Sequence, residues 1–147
     1  MSEFAASPVF QVWAVCNAIL VLNLIGLAAG TAVNRSKEGK GLNEEDKALN
    51  AELQVIQVDT GQAARFSRAH RNALENVPMF MVTSLGLVMT EPSVALAGGL
   101  IGFFTLVRLG HSFFYVNAMQ PMRTASFGLA ALTQLAVIGL LCYGVFT

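Results

Sequence analysis

Charge is scarce in this chain: of 147 residues only 12% are Asp, Glu, Lys or Arg, while 54% are apolar. That balance is too hydrophobic for a water-soluble domain of this length. Lysine plus arginine and aspartate plus glutamate each number 9, for a formal net charge of zero, so no basic tract marks a nucleic-acid partner. Cysteine is limited to Cys16 and Cys142, each inside an apolar run, which gives a disulfide framework no support and reads as small buried thiols. Two histidines with scattered carboxylates lack metal-ligand spacing, so no metal is expected. No side-chain nucleophile stands beside a base in a triad pattern, and a reactive group would have to arrive with a ligand. The segment before Pro8 carries Glu3 but no lysine or arginine, unlike the start of a secretory signal. The first apolar run is therefore expected to stay as a membrane anchor.

What is present is a set of long apolar runs. A helix needs about 20 residues to cross a hydrocarbon core of ~30 Å, and residues 9–33 form an uncharged run longer than that. Residues 34–70 are polar and read as a structured loop, with Gly39 and Gly41 as breakers and Asn43-Glu44-Glu45-Asp46 offering capping chemistry. Thr60 is placed to cap the next helix. Its uninterrupted apolar stretch is only Val77 to Met89, so a second span over 71–90 must carry Asn72 and Glu75 into the bilayer. Further spans are expected over 93–115 and 124–146, separated by turns at Thr90-Glu91-Pro92 and at Asn117 to Pro121. The expected fold is all-α, one domain over 1–147, an integral membrane up-down four-helix bundle. Of the nine basic residues, Arg35, Lys37, Lys40, Lys47, Arg65, Arg68 and Arg71 lie between the first two spans and Arg123 between the last two, with Arg108 inside the third. The positive-inside rule places the long loop in the cytoplasm.

Ionisable groups within a bilayer cost ~2.5–3.5 kcal/mol or more to insert, so each needs a partner or a task. Arg68, Asn72 and Glu75 share one helical stripe with Arg71 beside it, and Arg108, His111, Ser112 and Tyr115 form a second stripe at the same depth. Arg35 and Arg123-Thr124 reach the same level from the other two helices, so one polar pocket fed by all four is expected. Five arginines against Glu75, even with Asp46 folded over, favour an anionic ligand bound in bidentate fashion. Glu75 with Asn72 would suit an ammonium or amide on the same molecule. Blander readings stand beside this one: an Arg108–Glu75 ion pair that fixes packing, Arg65, Arg68 and Arg71 snorkelling to lipid phosphates, His70 and Tyr115 as interfacial residues, and Thr133 and Gln134 as interhelical hydrogen-bond donors.

The run Arg65-Phe66-Ser67-Arg68-Ala69-His70-Arg71-Asn72-Ala73-Leu74-Glu75-Asn76 resembles the signature of the membrane-associated proteins in eicosanoid and glutathione metabolism. It is most similar to the branch with microsomal glutathione transferase and microsomal prostaglandin E synthase. Arg35 followed by Asn43-Glu44-Glu45-Asp46, the pattern Arg108-x-x-His-Ser-x-x-Tyr115, and Arg123-Thr124 resemble further elements of that branch in the same order. The resemblance implies homotrimers that bind glutathione as co-substrate in a cytoplasm-facing pocket between subunits. It implies glutathione contacts from Arg71, Asn72, Glu75, His111 and Tyr115, with Arg35 and Arg68 nearby. Arg123 would stabilise the thiolate, assisted by Thr124 and Asp46. The implied activity is glutathione transfer to a lipophilic electrophile, or reduction of a hydroperoxide, in detoxification or eicosanoid metabolism. A prostaglandin-synthase-like isomerase and a non-catalytic lipid-binding scaffold are the alternatives, and a bacterial inner membrane is favoured over endoplasmic reticulum. The chain departs from the pattern at Pro78, one residue early, in the segment from Tyr115 to Arg123, one residue short, at Thr124 in place of serine, and at Phe127 in place of tyrosine. These departures bear on the hydrophobic substrate more than on glutathione.

Overall fold

The computed structural model describes residues 3–147; Met1 and Ser2 lie outside the described residues. A short helix α1 (Glu3–Ala6) leads into α2 (Pro8–Lys37). A loop follows, with strands β1 (Lys40–Gly41) and β2 (Gln54–Val55) flanking a 3-10 helix (Glu44–Ala48). The chain then forms α3 (Gly61–Met89), α4 (Val94–Val116) and α5 (Gln120–Phe146). The four long helices make the all-α membrane bundle that the apolar runs imply. Helices α2, α4 and α5 are each long and apolar enough to cross a bilayer. Many of their large side chains point outward, as Val15, Leu22, Ile25, Leu106, Leu132 and Leu135 do, because lipid rather than water is the surrounding solvent. Helix α3 differs. Its 29 residues extend about 43 Å, more than the hydrocarbon thickness, so its basic first turns project past the apolar layer.

Each helix alternates in direction, and polar pairs tie them together. Trp13 Nε1 donates to Ser84 Oγ (3.1 Å), joining α2 to α3. Asn23 Nδ2 donates to Ser112 Oγ (2.9 Å), joining α2 to α4. Gln134 Nε2 donates to Thr83 Oγ1 (2.8 Å), joining α5 to α3. Gln134 thus acts as interhelical glue, whereas Thr133 does not: its hydroxyl donates to Leu129 O in its own helix, the usual resort of a threonine facing apolar neighbours. Between these tethers the core is apolar, centred on Phe80 and Phe104, whose rings stack with centroids 3.6 Å apart, and on the fully buried Leu20, Val77, Ile101 and Val137. Gly30 of α2 lies against the Phe66 ring so closely that an added Cβ would fall 2.3 Å from it.

Local chemistry sets the helix ends, in two cases differently from expectation. Thr60 occupies the N-cap position of α3 without a side-chain cap. Instead the Glu38 carboxylate, from the far side of the loop, accepts the N–H groups of Gln62 (3.1 Å) and Ala63 (3.4 Å). A carboxylate answers the positive end of a helix better than a hydroxyl does, and Gly61, at φ +54, leaves room for it. The parallel pairing of β1 with β2 brings the two ends of the loop to this meeting point. The second difference is the start of α5. Ala118 turns the chain at φ +60 and the helix begins at Gln120 with Pro121 in its first turn, where proline loses no hydrogen bond. The helix thus starts four residues before the expected span at Thr124, which places Arg123 at the end of its first turn and Thr124 just after it.

Candidate functional site

The polar side chains gather at the loop end of the bundle, in three groups. The first is buried. Arg108 is 1% exposed and donates from Nη2 to Asn72 Oδ1 (3.0 Å) and to Asn72 O (3.3 Å). Its Nε and Nη1 have no partner among the described residues, nor has Nδ1 of the buried His111 one turn away. The Arg108–Glu75 ion pair of the blander reading does not form. Glu75 is exposed on the outer side of α3, and the arginine takes the amide that lies on the interior side of the same helix. A neutral amide can be buried with the guanidinium at less desolvation cost than a second charge.

The second group runs from His111 outward. His111 meets Tyr115 edge-on with ring centroids 5.7 Å apart, and the Phe127 ring centroid is 6.3 Å away. Over the Tyr115 ring lies the Arg123 guanidinium, 4.5 Å from the centroid, a cation–π contact that immobilises it. Arg123 Nη2 also donates to Gln120 Oε1, and Gln120 Nε2 donates to Thr124 Oγ1 (3.3 Å). Arg123 is thus fixed by an aromatic face and a neutral amide, with no carboxylate to neutralise it among the described residues.

The third group is a groove of about 390 Å³ between α3 and the loop. Its floor is Ala64, Ser67, Arg68 and Arg71, spaced to share one helical face, and its wall is Leu42 with Gln57 to Asp59. Arg68 and Arg71 have no ion pair among the described residues. Arg35, expected close to the ligand, is joined to Asp59 by a two-pronged pair, Nε to Oδ1 (2.7 Å) and Nη2 to Oδ2 (2.9 Å). Asp46, expected to fold over the arginines, accepts the backbone N–H groups of Leu42 (2.8 Å) and Asn43 (3.0 Å) and so braces the loop. The single pocket fed by all four helices is therefore not what one subunit forms: the groove and the Tyr115–Arg123 pair are separate features at the same end.

Asp59, Glu38 and Gln120 escaped the sequence reading. Each lies in or beside a loop, outside the helical stripes that periodicity picks out, and only the fold shows that one pairs with Arg35, one caps α3 and one holds Arg123. Hydrogen bonding from Arg35 holds the Asp59 carboxyl below its ordinary value, against the opposing effect of burial. The pair's contribution to stability is then fully present above the unfolded carboxyl value of about 4 and fades as pH falls through the lowered folded value. Acid titration of thermal stability should show this loss in the native chain, and Asp59→Asn should flatten that limb of the curve.

A larger groove of about 540 Å³ lies deeper in the apolar layer, lined by Pro78, Met79, Val82, Thr83, Gln134 and Ile138. Pro78 is about 10 Å further along α3 than Arg71, so a lipophilic surface adjoins the cationic end on the same helix.

These features define a helical integral membrane protein with an uncompensated cationic site at one end. The chain matches the MAPEG family over residues 13–143, and it belongs to that family, the membrane-associated proteins in eicosanoid and glutathione metabolism. Membership places it among membrane proteins of glutathione-dependent transfer, isomerisation and lipid metabolism. A comparison with curated individual proteins returns no match.

Proposed function

We propose that the protein is a membrane-bound glutathione transferase with peroxidase capacity, which binds glutathione at the loop end and delivers its thiolate to lipophiles from the bilayer. The observation that carries this reading is the set of arginines left without carboxylates, Arg68 and Arg71 in the groove and Arg123 above Tyr115. Fixed guanidinium groups at the edge of a low-dielectric layer call for an anion, and glutathione brings two carboxylates and a thiol. In this reading Arg68 and Arg71 take the carboxylates, while Asn72, Glu75, His111 and Tyr115 supply hydrogen bonds. Arg35 and Asp46 keep the loop wall in place. Arg123 stabilises the thiolate and Thr124 positions Gln120 beside it. Exposure of the charged Glu75 at membrane depth supports a homotrimer, in which a neighbouring subunit covers this face and closes the site. The positive-inside distribution supports a loop facing the cytoplasm.

The chemistry follows from the thiolate. It attacks an electrophilic carbon to form a thioether, and the leaving group departs with its electron pair. With a hydroperoxide it attacks the terminal oxygen, breaking the O–O bond to release an alcohol and leave a sulfenate. A second glutathione then converts the sulfenate to disulfide and water. Isothermal titration of the full-length protein in detergent is expected to show stoichiometric glutathione binding and a rise in ultraviolet thiolate absorbance. Lipophile binding with no glutathione binding would instead identify a lipid-binding scaffold and refute the transferase reading.

A further inference from the structure

Gln134 spends only half of its amide on the bundle. Its Nε2 donates to Thr83 Oγ1 (2.8 Å). The Thr83 hydroxyl directs its own hydrogen to backbone carbonyls of α3, Met79 O (2.9 Å) and Phe80 O (3.3 Å). Thr83 can therefore only accept from the amide, which fixes the orientation: the nitrogen faces the hydroxyl and the oxygen is left over. That oxygen, Oε1, is buried and has no hydrogen-bond partner among the described residues. Gln134 and Thr83 line the groove of about 540 Å³ between α3 and α5 together with Pro78, Met79, Val82 and Ile138, and none of those four side chains carries a donor. Gln134 also stands near the middle of α5, at a depth where a bilayer holds no water to satisfy it. A bare acceptor in such surroundings is costly, so an occupant of the groove that brings an O–H or N–H gains more than apolar contact.

Helical periodicity ties this groove to the cationic end. Eleven residues make close to three whole turns and rise about 16 Å. Gln134 is eleven residues after Arg123 on α5, and Met79 and Val82 are eleven after Arg68 and Arg71 on α3. Both walls of the groove therefore continue the helical faces that carry the arginines, deeper in the membrane.

We propose that Gln134 is a specificity-determining residue for the lipophile: its Oε1 accepts a hydrogen bond from a hydroxyl or amide N–H of the substrate. The groove then selects long-chain lipids that carry such a donor about 16 Å from the atom the thiolate attacks. The assignment rests on the transferase reading above and adds the class of the second substrate, a long-chain lipid oxygenated at a point remote from its reactive group. A donor from a neighbouring subunit is the competing occupant of the acceptor, and the test separates the two.

The test uses the full-length protein in detergent with glutathione and two tetradecenals, straight-chain α,β-unsaturated aldehydes that end in a hydroxyl or in a methoxy group. Thiolate adds to the β-carbon of either compound; the π pair moves to give an enolate, which takes a proton from water. The two differ at the far end by one methyl, which removes the donor. The ratio of kcat/KM values, divided by the ratio of uncatalysed rates in the same detergent, is expected to favour the hydroxyl compound at least about fivefold in the native protein, the scale of one neutral hydrogen bond. Gln134→Met keeps the side-chain length, removes the acceptor and is expected to bring the ratio near one. Gln134→Asn withdraws the amide by one methylene and should do the same, which covers the case where Gln134→Met does not fold. Equal efficiencies in the native protein overturn the assignment and place a neighbouring subunit on the acceptor. A preference that survives the substitutions, with both compounds slowed in parallel, overturns it too and leaves Gln134 a structural tether. Conjugation without the preference removes the role of Gln134 alone, whereas no conjugation of either compound removes the transferase reading with it.

Discussion

Arg123→Ala is expected to lower the conjugation rate at neutral pH by about 100-fold, the scale for removing one fixed electrostatic group from a reacting centre, and to remove the thiolate absorbance that accompanies glutathione binding. The reason lies in how the guanidinium is held. Tyr115 fixes it from beneath at 4.5 Å and Gln120 holds it from the side, and neither cancels its charge. A cation so fixed favours the anionic form of a nearby thiol, whose unperturbed value is about 8.5. Without it the thiol returns toward that value, so activity in the variant is expected to climb with pH across a range where that of the native protein is expected to be level already. Glutathione affinity should change much less, because the proposed binding mode gives its carboxylates to Arg68 and Arg71. Steady-state kinetics at several pH values separate the two effects. An Arg123→Ala protein that keeps its thiolate would disprove the role assigned to this residue.

The second large effect concerns stability and turns on Arg108. This guanidinium is 1% exposed, its Asn72 contacts engage Nη2 alone, and Nε and Nη1 have no partner. Asn72→Ala takes away the side-chain acceptor and leaves a buried charge with one backbone carbonyl at 3.3 Å. The expected cost is about 3 kcal/mol, as for other buried charges stripped of a partner. Arg108→Met fills a similar volume without a charge to satisfy and should be neutral or stabilising. In the Arg108→Met background the Asn72→Ala change should cost under about 1 kcal/mol, because the amide then serves no cation. Thermal unfolding of the four proteins in one detergent gives the cycle. If Arg108→Met is as damaging as Asn72→Ala, the two unpaired nitrogens are satisfied in the assembled protein by a neighbouring subunit, and the accounting for an isolated subunit fails.

Much of this molecule is written in local pattern. The apolar runs give α2, α4 and α5 because a bilayer imposes a length and forbids unpaired backbone, and both demands act residue by residue. The faces of α3 and α4 are equally local. A period of 3.6 residues places Arg68 and Arg71 together, and likewise Arg108, His111 and Tyr115, whatever the helices later pack against.

The choice of partner was decided elsewhere. Sequence spacing allowed Arg108 to meet Glu75 or Asn72, since they are three residues apart on α3; the rotation of α3 in the bundle turned the amide inward and the acid outward. Arg35 and Asp59 are separated by 24 residues, and only the β1–β2 pairing brings them within hydrogen-bonding distance. The same pairing delivers Glu38 to the start of α3 and leaves Thr60, the local candidate, without a capping role. By itself the sequence determined which segments enter the membrane and which charges share a helical face, because hydropathy and helix periodicity are properties of a single segment. The tertiary structure alone decided which of those charges neutralise each other and which stay free for a ligand, because that depends on distances between segments that no local pattern sets.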